Sequence, residues 1–306
     1  SDPPGVGYLN RASTEIAIRY PDDPRGVFEA GARVLHRTNS LGYRGDEFPE
    51  PGPRPEGVRR LAFVGDSFTF GEGVRFADTY AERTAALLAA AWPGLRVEAL
   101  NFGVGGYNTA QTRILTEAWV LPRRPDALVL GYTMSDVKEP IFERDPRSGK
   151  LRNRRQPPNR SAPSGWMRSL RVGRLLWSAL ARRALDREIF ATYRDLYREN
   201  APEWRGTSSE LRALGARCAE LPLGCFAVVF PVLAQLDDYP LEAEHQRVVE
   251  ALAASGFVVA DLLTLLAGRE ASELWVHRAD HHPNEMVHAL AARRLAKLID
   301  EVSGSS

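Results

Sequence analysis

Several residue types needed for acyl transfer stand in polar stretches that close apolar runs of this 306-residue chain. Ser67 follows Gly65 and Asp66 directly after the run Leu61, Ala62, Phe63, Val64. A serine hydroxyl is a weak nucleophile until a base takes its proton, and histidine does this near neutral pH. The stretch HRADHHPNE near the C-terminus offers Asp280, His281 and His282. A carboxylate beside an imidazole fixes its tautomer and steadies the imidazolium. Asp280 can do this for His282, whereas His281 adjoins Asp280 directly and is awkwardly placed to bond with it. Two further stretches, NFGVGGYNT with Gly105, Gly106 and Asn108 and GYTMSDV with Ser135 and Asp136, hold amides and polar side chains. Donors of this kind stabilise the oxyanion of an acyl-transfer transition state. Each stretch by itself is equally an ordinary turn, because Ser, Asp, Asn and Gly are common turn residues.

What could bring these stretches together is the order of elements. Strands are expected at Leu61 to Val64, Leu95 to Leu100, Ala127 to Leu130, Cys225 to Phe230 and Phe257 to Ala260. Helices are expected over Thr79 to Ala91 with Asp78 as N-cap, Gln111 to Trp119, Glu210 to Glu220, Leu241 to Ala254, and about Glu285 to Val302. Strands alternating with helices imply a mostly parallel sheet covered on both faces. In such a sheet the loops after the strands gather at one edge.

Residues 1–57, rich in Pro, Gly, Asp and Arg, read as an irregular N-terminal arm or small hairpin laid over a main domain of residues 58–306. That domain carries a basic helical insert at about residues 138–205. From Lys150 to Arg187 there are eleven basic residues and one acidic one, and Trp166 to Leu185 is an amphipathic helix candidate. A lid packed on the domain is the favoured reading of this insert, and contact with an anionic membrane surface the other.

A formal net charge of +1 gives no electrostatic footprint for nucleic acid. No apolar run reaches the roughly 18 residues of a membrane span. Cys218 and Cys225, six residues between them, form neither a disulfide framework nor a zinc pattern. They are expected as two buried or half-buried thiols, and no metal or cofactor is called for. The chain begins SDPPG, which is compatible with a mature end and with an extracytoplasmic or membrane-anchored full-length form.

Taken in order, GDSFTFGEGV, NFGVGGYNT and the HPN that follows an acidic residue resemble the motifs of the SGNH/GDSL hydrolase superfamily. The lead-in NSLGYRG also resembles a segment that precedes GDS in bacterial members. The resemblance spans roughly Arg59 to the C-terminus. It implies a flavodoxin-like three-layer α/β/α domain with Ser67 as nucleophile, His282 as base and Asp280 as its orienting acid. The oxyanion would be held by the Ser67 and Gly106 amides, aided by Ser135. Asp66, read from its own type and place, holds the nucleophile loop by hydrogen bonds instead of doing chemistry.

Two departures from the family pattern stand out. Ser135, before Asp136, occupies the place where the third motif normally has Asn; a serine hydroxyl can donate but is shorter and rotates freely. Asn108 and Thr133 are the polar residues that could compensate. The acid-to-base spacing is Asp-x-His rather than the commoner Asp-x-x-His, a form that resembles bacterial polysaccharide O-acetyltransferase members. The resemblance thus implies a serine-dependent hydrolase of ester bonds, acting on an acylated carbohydrate or a small ester. An O-acyltransferase using the same residues on a sugar or other alcohol is the alternative. From another class, Ser135 motivates a non-catalytic binding protein on the same fold.

Overall fold

Short apolar runs closed by glycine or a polar residue make the central strands, and the segments between them make the covering helices. The computed structural model describes residues 5–140, 142–144, 151–153 and 186–304. Strands β1 (Glu15–Arg19) and β2 (Arg33–Arg37) pair antiparallel as a ribbon in the N-terminal arm. The core begins with β3 (Val58–Gly65), the four-residue helix α1 (Ser67–Phe70), α2 (Tyr80–Ala91), β4 (Arg96–Gly103), α3 (Thr109–Leu115) and β5 (Ala127–Thr133). Within the insert, β6 (Phe142–Arg144) pairs antiparallel with β7 (Leu151–Asn153), and α4 (186–196) follows. The core resumes with α5 (Pro202–Ala219), β8 (Gly224–Phe230), α6 (Glu242–Ala254) and β9 (Val258–Asp261). A hairpin of β10 (Trp275–His277) and β11 (Asp280–Pro283) then leads into α7 (Glu285–Gly304).

Five strands form one parallel sheet in the order β4-β3-β5-β8-β9. Helices α2 and α7 pack together on one face, and α3, α5 and α6 line the other. This is the three-layer α/β/α architecture that the alternation implied. The middle strand β5 is buried along its whole length, as a strand covered on both sides must be.

Gly103, Gly65 and Gly131 stand side by side in register at the C-terminal ends of β4, β3 and β5. A Cβ on Gly103 would collide with the Phe70 amide, and one on Gly131 with the Thr69 hydroxyl. The missing side chains let α1 lie directly on the sheet edge. Asn101 fixes it there, donating from Nδ2 to the Thr69 carbonyl at 2.8 Å.

Several expectations need correction. Cys218, in the last turn of α5, and Cys225, in β8, are joined by a disulfide rather than standing as two thiols. The tight return between helix and strand brings their Cα atoms to 6.2 Å, within disulfide reach. Thr79, not Asp78, caps α2: its hydroxyl accepts from the Glu82 amide at 3.4 Å. Asp78 closes a preceding 3-10 turn and pairs with Arg75 and Arg83, each at 2.6 Å. The HRADHHPNE stretch, expected as a loop, is the β10–β11 hairpin. The helix expected over Trp166 to Leu185 lies outside the described residues. Among the described residues, no helix is long and apolar enough to cross a membrane.

Candidate active site

The chain leaves β3 at Gly65, and Asp66 turns it into α1 by accepting a hydrogen bond from the Phe68 amide at 2.9 Å. That is an N-cap, and it makes Ser67 the first residue of a helix, where backbone amides lack intrahelical partners. The second Asp66 oxygen accepts from the Thr133 hydroxyl at 3.0 Å, tying the end of β3 to the end of β5. Asp66 is buried. Burial pushes its pKa up against the lowering effect of the Phe68 amide and the Thr133 hydroxyl. Its contacts are those of a brace for the loop.

Strand β11 carries Asp280 and His282 on one face, because side chains two apart in an extended strand point the same way. His282 Nδ1 lies 2.6 Å from Asp280 Oδ1, which also accepts from the His282 amide at 3.1 Å. His282 Nε2 lies 2.9 Å from Ser67 Oγ. His281, between them in sequence, points the other way and stacks on Trp275 with ring centroids 3.8 Å apart. The Asp-x-His spacing therefore works here because the segment is extended. Asn284 then caps α7, accepting from the Met286 and Val287 amides at 3.1 and 3.3 Å, which fixes the far end of the segment.

Charge in the site favours an imidazolium. Burial opposes charging of His282, but the Asp280 hydrogen bond and the charges of Glu72, Asp280 and Asp66 outweigh it, so its pKa stands above 6.5. Burial likewise opposes ionisation of Asp280. The His282 hydrogen bond and charge and the Tyr20 hydroxyl reverse this and hold its pKa down to about 2. In the neutral imidazole, the ionised Asp280 accepts a hydrogen bond from Nδ1–H, which leaves the Nε2 lone pair facing Ser67.

The remaining expected residues divide. Among the described residues, no backbone carbonyl accepts from the amides of Ser67 or Gly106. The half-buried Ser135 has its hydroxyl 2.8 Å from Thr133 Oγ1. Thr133 is buried, and its hydroxyl oxygen also lies 2.9 Å from Asp136 Oδ1. Asp136 is buried too, accepts from the Thr133 amide at 3.0 Å, and is driven well above the usual carboxylate range by burial and by Asp66. Asn108 is occupied: Oδ1 caps α3 through the Gln111 amide at 3.0 Å, and Nδ2 donates to the Lys138 carbonyl at 3.0 Å. The Asn108 side chain is thus engaged at a helix cap and at the Lys138 carbonyl, and the Thr133 hydroxyl lies among Asp66, Ser135 and Asp136. A cavity of about 190 Å³ beside Ser135 is lined by Phe68, Val232 and His281, and by Ile189 and Phe190 of α4.

The other histidines serve structure. His36 Nε2 accepts from the Gly73 amide at 3.3 Å, and burial pushes its pKa down to about 3. His245 and His277 pair with Asp261 and Asp22, each at 2.7 Å. The buried His288 accepts from the Tyr80 amide at 3.0 Å.

Sequence reasoning missed two contributors. Tyr20, on the N-terminal arm, donates its hydroxyl to Asp280 Oδ2 at 2.7 Å; with the partners 260 positions apart in sequence, no local pattern signals it. Glu72 Oε2 lies 3.7 Å from His282 Nε2, and its signal was a carboxylate one turn beyond Ser67 in the same motif. The arm also reaches the NFGVGGYNT loop, where Tyr8 donates to the Gly105 carbonyl at 2.6 Å. It reaches the end of α1 as well, where the buried Arg44 guanidinium donates to the Phe70 carbonyl at 2.9 Å and to the carbonyls of Gly71 and Val74.

Among solved structures, this chain is similar to a catalytic mutant of Axe2, an acetylxylan esterase from Geobacillus stearothermophilus. That pair shares 15% identity and a TM-score of 0.50 over 78% of this chain and 93% of that one. It is also similar to a two-domain esterase active on acetylated mannans, with 15% identity and a TM-score of 0.48 over 80% of this chain and 50% of that one. The match thus spans about half the length of that protein. A third, LAE5, an alpha/beta hydrolase from the metagenome of Lake Arreo, Spain, has 16% identity and a TM-score of 0.48 over 78% and 93%. At such identities the likeness concerns the fold alone. No curated protein sequence matches the chain. The family model for GDSL-like lipases and acylhydrolases matches residues 63–290, which include every strand of the parallel sheet in whole or part and both ends of the Ser67–His282–Asp280 chain of contacts. The protein therefore belongs to the GDSL-like lipase/acylhydrolase family, as an SGNH/GDSL-type hydrolase of ester bonds.

Proposed function

We propose that this enzyme is a serine esterase acting through an acyl-enzyme on Ser67, with His282 as general base and acid and Asp280 as its orienting carboxylate. One observation carries the reading: the continuous contact from Ser67 Oγ to His282 Nε2 at 2.9 Å and from His282 Nδ1 to Asp280 at 2.6 Å. In the first step Ser67 Oγ bonds to the acyl carbon while its proton passes to Nε2. The carbonyl oxygen becomes an oxyanion held by the Ser67 and Gly106 amides and the Ser135 hydroxyl. The tetrahedral centre collapses, His282 returns the proton to the leaving alcohol, and the acyl group stays on Ser67. Water, deprotonated by the same nitrogen, then releases the free acid and restores the serine.

An acylated carbohydrate or a small ester is the proposed substrate. The cavity beside Ser135 and Phe68 supports a modest acyl or alcohol group next to the nucleophile. A fluorophosphonate probe tests the nucleophile: it should label the wild-type protein and leave Ser67→Ala unlabelled. Equal labelling of both would overturn the assignment, and no labelling of either would favour a binding role. A product assay with an added alcohol separates hydrolysis from acyl transfer, since hydrolysis yields free acid in both conditions.

A further inference from the structure

We propose that Glu72 selects esters whose alcohol portion carries a hydroxyl next to the ester oxygen, accepting a hydrogen bond from that hydroxyl. The inference rests on the reading of Ser67 and His282 above and adds what the alcohol must look like.

Glu72 is held firmly although its carboxylate is free to meet a ligand. Gly71 takes the left-handed conformation that ends α1, at φ 78°, and the Glu72 amide donates back to the Ser67 carbonyl at 3.0 Å. Gly73, at φ 80°, turns the chain again beneath Tyr20, whose hydroxyl leaves no room there for a Cβ. A left-handed position on each side flanks Glu72, and both favour glycine. The side chain is more than a third exposed, and its ion-pair contact among the described residues is His282 alone.

That contact, at 3.7 Å from Nε2, is too long for a good hydrogen bond, so the carboxylate retains its acceptor capacity. Nε2 is also the atom that must reach the leaving oxygen within hydrogen-bond distance when it gives back the proton. Glu72 therefore lies beside the leaving group. A vicinal hydroxyl in a staggered gauche arrangement stays close to its neighbouring oxygen, which brings it into range of Oε2 while the ester oxygen meets Nε2. Gly105 borders both groups: a Cβ there would make ordinary contact with Ser67 Cβ at 3.8 Å and with Glu72 Oε2 at 3.9 Å, so the nucleophile and the carboxylate face the same side of that loop. The same charge works against an anionic alcohol portion, since like charges at this range repel in a partly desolvated site.

Three acetates of similar size test the idea: 2-hydroxyethyl, propyl and 2-methoxyethyl acetate. A hydrogen bond to a charged acceptor corresponds to a preference of about ten- to a hundredfold. Wild-type kcat/KM should favour the hydroxyethyl ester over the other two by about tenfold or more. Glu72→Ala should bring the ratio to within about threefold of one, and the near-isosteric Glu72→Gln should retain part of it. Glu72→Gln supplies the ratio if Glu72→Ala does not fold. A wild-type ratio near one overturns the proposal. So does a ratio that survives in the Glu72 variants, or an equal loss on all three esters, which would mark a general effect on His282. Turnover by Ser67→Ala would instead defeat the underlying reading, whatever the ratio.

Discussion

Tyr20 donates its hydroxyl to Asp280 Oδ2 at 2.7 Å, the carboxylate oxygen that His282 leaves unused. The N-terminal arm thereby extends the line of contacts Ser67–His282–Asp280 by one member. Tyr20 is buried and stacks on Phe28, with its ring centroid also 5.4 Å from that of His277, so its hydroxyl is held in place by packing. On the proposed mechanism it is a positioning residue, acting through Asp280.

Tyr20→Phe removes only the hydroxyl. We expect kcat to fall about tenfold, the scale set by one charge-assisted hydrogen bond, with KM nearly unchanged. Without this donor, Asp280 keeps more negative charge for His282, so the acidic limb of kcat/KM should move to higher pH. Steady-state kinetics from pH 5 to 9 check both, and a parent-like rate with an unmoved limb would show that Tyr20 only packs.

The acidic limb itself follows from His282. Only its neutral form can take the Ser67 proton, and its pKa is raised above 6.5, so kcat/KM should climb through a pH above 6.5. Stability follows the same linkage. The raised His282 stabilises the fold fully below 6.5, and that contribution is lost as pH rises through the folded value. Asp280, depressed to about 2, contributes above its ordinary 3.8, and this is lost as pH falls through that lower value. Histidine NMR titration of His282 gives the value directly, and a pKa below 6.5 would contradict the electrostatic account.

Ser135 is the weakest donor of the proposed oxyanion site, because its hydroxyl can equally bond to Thr133 at 2.8 Å. Loss of a strong oxyanion donor costs about a hundred- to a thousandfold in kcat. Ser135→Ala should cost less, about tenfold, and should spare KM, since the interaction strengthens only in the transition state. An unchanged kcat would remove Ser135 from the site.

The Cys218–Cys225 bridge closes a short loop at the N-terminal end of β8, at the opposite sheet edge from Ser67. Chain-entropy arguments put its contribution at about 2 kcal/mol for a loop of this length. Cys218→Ala/Cys225→Ala should lower Tm by several degrees with kcat preserved, which thermal unfolding and ester turnover would measure together. A matching loss of activity at temperatures well below unfolding would argue against this separation.

Local pattern alone was enough for the layers of the fold and for the residues at its working edge. Apolar runs ending in Gly, Asp or Ser are short-range features, and parallel topology brings such ends together whatever the loops contain. Ser67, Asp280 and His282 could thus be named from the strand order and the motifs. So could hydrogen bonding by Asp66 within the loop that carries Ser67, because aspartate is a common turn residue.

What tertiary structure alone decided are pairings between distant segments. Tyr20 meets Asp280 across 260 residues of chain, and Arg44 meets the carbonyls at the end of α1 from within an arm that reads as irregular. Their side chains answer to partners that local periodicity does not encode. The disulfide, the extended path of Asp280 to His282 and the helix cap by Asn108 join residues close in sequence, and local spacing alone leaves each of them open. Each depends on where backbone turns leave a side chain, and a residue's type alone does not reveal which neighbour will claim its hydrogen bonds.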